Sequence, residues 1–335
     1  MTQHSTGRIT RRTALAAGAA LGAGALGASQ AMAAAPGPEA PVPSDPGLGS
    51  APEPLKLNEA VGTTAAVSCV DPYASDIGLS ILQGGGSAMD AAVAMAAALG
   101  VTEPYSCGIG GGGFLLYRDA ATGLVHTIDG RETAPMSYTE TQFTDASGAE
   151  LDFDAVVNSG LSIGVPGTPA MWALAAELFG TLPLGALLEP AEQLARRGFV
   201  VDQHFHSQTD ENAERFSRFP ETARVFLRDG SAPEVGSTFA NPDLAEVYRR
   251  LRTEGIDVFY RGDIGAAILA EANAPSAVSS QEVQGSPMTA ADLACYSPVL
   301  RAPTVSAYRG MTVFGMAAPS SGGVAVGEIL NLLEH

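Results

Sequence analysis

Residues 91–99, Ala-Ala-Val-Ala-Met-Ala-Ala-Ala-Leu, are apolar without a break, and this run limits the possible folds more than any other part of the chain. Ser87, followed three residues on by Asp90, forms a capping box ahead of it. The run therefore reads as a helix starting at Ser87, and Gly100 fits the left-handed position that ends one. A helix apolar on every side needs neighbours on most sides. The chain must supply further packed elements, and its 335 residues are enough for them.

Both helix and strand patterns flank this run. Residues 63–69 are a short β-branched stretch that reads as a buried strand. Residues 75–82 have helical spacing and end at Gly84-Gly85-Gly86. Residues 114–118 and 124–128 form a hairpin across Ala120-Ala121-Thr122-Gly123. Helices are expected over 168–179, over 184–197 with Gly198 as cap, and over 243–254, begun by Asn241-Pro242-Asp243 and closed by Gly255. Residues 311–314 read as a strand. Pro319-Ser320-Ser321-Gly322-Gly323 then turns into an amphipathic run with Val324, Val326, Ile329, Leu330, Leu332 and Leu333. It reaches His335 without a cap, so the chain is expected to be cut short of its gene product. Interleaved elements of both types predict an α/β or α+β class, and no 20–50-residue period points to a solenoid.

The N-terminus reads as an address. Arg8, Arg11 and Arg12 are the only charged side chains before Glu39. An apolar run over 14–28 follows, too short and too weakly hydrophobic to span a bilayer. Ala31-Met32-Ala33 then offers a small-x-small cleavage site. Together these predict a signal peptide over residues 1–33, with Arg11-Arg12 favouring the twin-arginine route, and hence export to the cell envelope or beyond. Residues 34–58 are a Pro-rich linker, with seven prolines between Pro36 and Pro54. The folded body is expected over residues 59–335.

Charge and cysteine content exclude several functions. Eighteen basic against 36 acidic side chains give a net charge of −18, which argues against nucleic acid or an anionic membrane as partner. Cys69, Cys107 and Cys295 are too few for a disulfide framework or a four-cysteine zinc site. His204-Phe205-His206 has no further ligand at metal-binding spacing and reads as a surface segment. Cys107 has no His partner and reads as a small buried thiol.

Two motifs remain. Cys107-Gly108-Ile109-Gly110-Gly111-Gly112-Gly113-Phe114 precedes a strand and lacks the Lys-Ser/Thr of a phosphate loop, so its glycines serve close backbone packing rather than a nucleotide. Asp129-Gly130-Arg131-Glu132-Thr133-Ala134-Pro135 delivers an arginine at a strand end. Read from the residues alone, Arg131 is either a bidentate clamp for a carboxylate or a structural partner of Glu132 or Asp129.

These stretches, with Gly84 to Ala94, Val101-Thr102-Glu103-Pro104, Gly164-Val165-Pro166-Gly167-Thr168, Gly180-Thr181-Leu182-Pro183, Leu188-Glu189-Pro190-Ala191, Asp257-Val258-Phe259-Tyr260-Arg261-Gly262 and Pro319 to Gly323, resemble the γ-glutamyltransferase family in collinear order from about Glu59 to His335. The resemblance implies an α+β N-terminal nucleophile hydrolase, a four-layer αββα sandwich, here its large-subunit portion. It implies a proenzyme that cleaves itself, and a new N-terminal Thr that attacks the γ-amide of glutathione or a related γ-glutamyl compound. The acyl group then passes to water or an amino acid. That Thr belongs to the small subunit of the same precursor and matches no position here, so this fragment alone is expected to be inactive. Carried over residue by residue, Arg131 binds the substrate α-carboxylate, and Gly110, Gly111, Gly112 and Gly113 form a loop beside the site. No cofactor and no metal is implied. Cephalosporin acylases and poly-γ-glutamate enzymes of the same fold are the alternative, and a non-catalytic secreted binding module is a second. Residues 272–289 depart from the family as a longer link.

Overall fold

The computed structural model describes residues 59–278 and 283–334, together with Pro54 and Lys56. The expected export signal and nearly all of the Pro-rich linker lie outside the described residues. In chain order the elements are α1 (Pro72–Gln83), α2 (Ala88–Thr102), α3 (Pro104–Cys107), β1 (Gly113–Arg118), β2 (Val125–Gly130), α4 (Phe153–Val157), α5 (Thr168–Phe179), α6 (Leu184–Arg197), β3 (Phe199–Val200) and α7 (Gln203–Glu211). They continue with α8 (Ala213–Ser217), α9 (Pro220–Phe226), β4 (Thr238–Phe239), α10 (Pro242–Glu254), α11 (Asp257–Tyr260), α12 (Asp263–Asn273), α13 (Ala290–Cys295), β5 (Val299–Arg301), β6 (Thr304–Tyr308), β7 (Met311–Gly315) and α14 (Ser321–Glu334).

The apolar run is the heart of the core. Helix α2 packs against α1, α5 and α6, and α6 packs in turn on α10. Its capping box forms as expected: the Ser87 hydroxyl accepts from the Asp90 N–H, and the Asp90 carboxylate accepts from the Ser87 N–H at 2.7 Å. Asp90 does more than cap. Fully buried, it also accepts from the Thr181 N–H at 2.9 Å, the Thr181 hydroxyl at 2.5 Å and the Leu182 N–H at 3.1 Å. One carboxylate thus ties the start of α2 to the link between α5 and α6. These donors outweigh the cost of burial and hold its pKa below the usual carboxylate range.

The expected end of this helix is wrong by three residues. Gly100 is not a cap; the helix runs through it to Thr102. A Cβ at Gly100 would lie 2.5 Å from the Tyr248 hydroxyl, which donates to the Ala97 carbonyl at 2.8 Å. The glycine is there to let α10 come close. Gly198 and Gly255 do close α6 and α10 with φ of 84° and 85°, as expected. Residues 63–69 form no strand: they begin in a bend and are mostly exposed, and no neighbouring strand among the described residues takes up their backbone groups.

The hairpin β1–β2 forms in the expected place, pairing Gly113 with Gly130 and Phe114 with Asp129, and β5 adds to its far side. Helix α5 covers β2, so this small antiparallel sheet sits against the helical layer. Two further pairs, β3–β4 and β6–β7, complete the α+β content. The link over 272–289 is pinned at its ends: Ser286 N–H donates to Ala272 at 2.7 Å and Met288 is buried. Helix α14 packs on β6 and β7, while Val324, Val326, Ile329, Leu332 and Leu333 stay exposed.

Candidate functional site

Arg131 follows immediately after β2, because Gly130 ends the strand where three backbones converge. A Cβ at Gly112 would lie 2.6 Å from the Gly130 carbonyl oxygen and 2.8 Å from the Arg131 Cα. A Cβ at Gly130 would lie 2.5 Å from that of Met171, and one at Gly167 would overlap the Gly130 carbonyl oxygen. Only glycine permits this approach. The Gly111 carbonyl accepts from the N–H groups of Gly167 and Thr168 at 2.8 and 3.1 Å, satisfying free donors at the start of α5. The glycine loop therefore does what its sequence suggests: it packs backbone on backbone, next to Arg131. The four glycines are not equivalent, since a Cβ at Gly110 meets nothing within 4 Å and one at Gly113 makes an ordinary contact.

Beyond Glu132 the chain bridges to Val165, with Val165 N–H donating to Thr133 at 2.8 Å. This brings two of the sequence motifs side by side. Between them opens a pocket of about 510 Å³ lined by Gly110, residues 131–134 and residues 162–164. A larger hollow of about 710 Å³ beside α4 holds Asp152, Asp154 and Arg218 and lies apart from these motifs.

The geometry bears on both readings of Arg131. Asp129, 7% exposed, already has a cation: the Arg301 Nε donates to its Oδ2 at 2.8 Å. Its Oδ1 accepts from the backbone N–H of Arg131 at 3.1 Å, not from the guanidinium. The Arg131 side chain is 56% exposed, with Nε 3.9 Å from Glu132 Oε2 and the guanidinium carbon 6.0 Å from the Phe114 ring centroid. An exposed pair at that length contributes little. The arginine paired with Asp129 is Arg301, while Arg131 lines the pocket and has only the loose pair with Glu132.

Sequence reading missed Arg301, and also Tyr296, whose hydroxyl donates to the Arg131 carbonyl at 2.8 Å. Burial, followed by the negative charges of Asp129 and Glu132, pushes that phenol up to about 12. The other candidates lie elsewhere. His204 on α7 stands 3.5 Å from Glu103, and His206 Nδ1 is 2.8 Å from the Pro233 carbonyl. Burial, with Glu103 adding to it, raises the Cys107 thiol, which keeps it a protonated packing group. Among the described residues no group of three His, Cys, Asp or Glu side chains could hold a metal.

The mixed fold of small antiparallel sheets and packed helices is that of the N-terminal nucleophile hydrolases among the solved structures similar to this chain. The crystal structure of Helicobacter pylori gamma-glutamyltranspeptidase matches with a TM-score of 0.76 at 32% identity, over 82% of this chain and 76% of that one. The family profile described as Gamma-glutamyltranspeptidase matches residues 74–335, and the chain belongs to that family. The glutathione hydrolase proenzyme of Bacillus subtilis (strain 168) is 35% identical over 277 residues, which is 82% of this chain and 45% of the relative. That of Escherichia coli (strain K12) is 37% identical over 272 residues, 80% of this chain and 45% of the relative. The chain thus spans about half the length of these relatives, on the side of the large subunit.

Proposed function

We propose that the chain is the large-subunit part of an exported γ-glutamyltransferase, a glutathione hydrolase precursor. In this reading Arg131 grips the α-carboxylate of a γ-glutamyl compound such as glutathione. The nucleophile is a Thr of the small subunit of the same precursor, freed as a new N-terminus by self-cleavage. Its hydroxyl attacks the γ-carbonyl, its own α-amine takes the proton, and the C–N bond breaks as the leaving amine is protonated. Water or an amino acid then takes the acyl group from the Thr ester. Arg131 does no bond chemistry. It fixes the γ-carbonyl by holding the other end of the substrate, which lowers the entropy cost of attack.

One observation carries this reading: Arg131 lines an open pocket while the neighbouring carboxylate, Asp129, is paired with Arg301. Export is supported by the Arg11-Arg12 signal and its Ala31-Met32-Ala33 cleavage site.

The test is Arg131→Lys in the complete precursor. A charge-assisted pair is worth about 1.5–3 kcal/mol, and lysine keeps the charge without the fork. kcat/KM for a γ-glutamyl anilide should fall roughly 10- to 100-fold. Autoprocessing should survive, because the arginine touches substrate and not the scissile peptide. Near-normal kinetics, or equal losses on an analogue lacking the α-carboxylate, would overturn the reading.

A further inference from the structure

The Arg131 side chain has only loose neighbours, Glu132 Oε2 at 3.9 Å and the Phe114 ring at 6.0 Å, yet a substrate clamp must be preorganised. Its backbone, in contrast, is held at both polar groups: the N–H by Asp129 and the carbonyl by Tyr296. Helix α13 and Tyr296, the residue that follows it, brace the strip from 131 to 136 at both ends: Asp292 Oδ1 accepts from the Met136 N–H at 2.6 Å, and Tyr296 donates to the Arg131 carbonyl at 2.8 Å. The Tyr296 ring stacks on Tyr260, with centroids 5.8 Å apart and planes 8° from parallel. Tyr260 in turn donates to the Pro166 carbonyl at 3.0 Å and accepts from the Ala170 N–H at 3.2 Å, anchoring the stack to the start of α5. Arg261 donates to the Ala294 carbonyl at 2.8 Å, two residues before Tyr296. On the other side, the Thr127 hydroxyl donates to the Arg301 carbonyl at 2.6 Å and so fixes the register of β5 on β2. That register sets the Arg301 side chain on Asp129, two residues along the same face.

We propose that Tyr296 and Arg301 are positioning residues for Arg131, holding its carbonyl and, through Asp129, its N–H, so that the fork projects into the pocket before substrate arrives. This rests on the reading of Arg131 as the α-carboxylate clamp. It also accounts for the Asp257–Gly262 motif, in which Tyr260 and Arg261 set Tyr296.

The experiment uses the complete precursor and two substrates, a γ-glutamyl anilide and the 4-aminobutanoyl anilide, which is the same molecule without its α-carboxylate. Tyr296→Phe keeps the ring stack and removes one hydrogen bond. It should raise KM for the γ-glutamyl anilide roughly 3- to 10-fold with kcat within about twofold. Arg301→Met leaves Asp129 free to capture the Arg131 side chain and should cost roughly 10- to 100-fold in kcat/KM, with Arg301→Lys recovering most of it. In each case the preference for the carboxylated substrate should shrink by the same factor. Equal losses on both substrates, or none on either, would overturn the proposal. Tyr296→Phe decides the matter even where Arg301→Met is not recovered in soluble form. Arg131→Lys run alongside separates the two ideas. If it leaves kinetics normal, the clamp itself is wrong; if it is impaired while Tyr296→Phe and Arg301→Met behave as the parent, only the positioning role falls.

Discussion

Replacing Asp90 by asparagine changes one atom and should cost much of the stability of the helical layer. The Asp90 carboxylate is fully buried and accepts from three backbone N–H groups, of Ser87, Thr181 and Leu182, and from the Thr181 hydroxyl. Asparagine keeps one acceptor oxygen and turns an NH2 group toward these donors. Losing a hydrogen bond to a charged group costs about 1.5–3 kcal/mol, and a buried orphan donor costs a similar amount, without full additivity. A net loss of about 2–4 kcal/mol follows. Urea denaturation followed through Trp172, the single tryptophan, which is buried on α5 just before Thr181, reads the damage locally. With a slope of about 2–3 kcal/mol per molar urea, the midpoint should drop by roughly 1 M. The pH dependence gives a second check. The folded pKa of Asp90 lies below its ordinary value. Its contribution is therefore complete above the unfolded value near 4 and is lost as pH falls through the folded one. The gap between parent and variant should narrow over that acidic range only. A midpoint within about 0.2 M of the parent at neutral pH would refute the idea that Asp90 ties the layer together.

Three other outcomes are expected. Gly100→Ala should destabilise by about 1–3 kcal/mol in the same urea assay, although alanine in an open helix would stabilise, because its methyl meets the Tyr248 hydroxyl. Exported protein should begin near Ala34 on N-terminal sequencing, and Arg11→Lys with Arg12→Lys should block export; retention of Met1 in exported material would refute this. The 335-residue chain alone should turn over no γ-glutamyl anilide above the uncatalysed rate and should aggregate on the exposed face of α14 that includes Val324, Ile329 and Leu332. A measured turnover would place the nucleophile within it.

Local chemistry was readable in the sequence wherever one segment decides its own shape. The Ser87–Asp90 box, the hairpin turn around Gly123 and the caps Gly198 and Gly255 depend on residues a few positions apart. Gly100 misled because the same residue type serves a left-handed cap and a close helix approach, and only the position of Tyr248 tells them apart. Residues 63–69 have strand composition, but a strand exists only with a neighbour to bond, and the described chain offers none. At the site, Arg131 stood out by its motif. Tyr296 and Arg301 did not, because each meets its partner across more than 160 residues of chain, and nothing in their own neighbourhood marks them.

The meeting of Gly112, Gly130 and Gly167 restricts how this pocket can change over generations. Each lies within three residues of the pocket lining, and a methyl group at 112 or 167 would meet the Gly130 backbone, while one at 130 would meet Met171. A substitution there is therefore tied to the neighbours it pushes, and single steps toward a new floor pass through variants with a displaced Arg131. The rim is not under this constraint. Ser162 is exposed, and Ile163 has 36% of its surface free. Diversification of what the pocket accepts, by selection in a library or in a lineage, should accumulate at 162 and 163 while the floor is inherited intact.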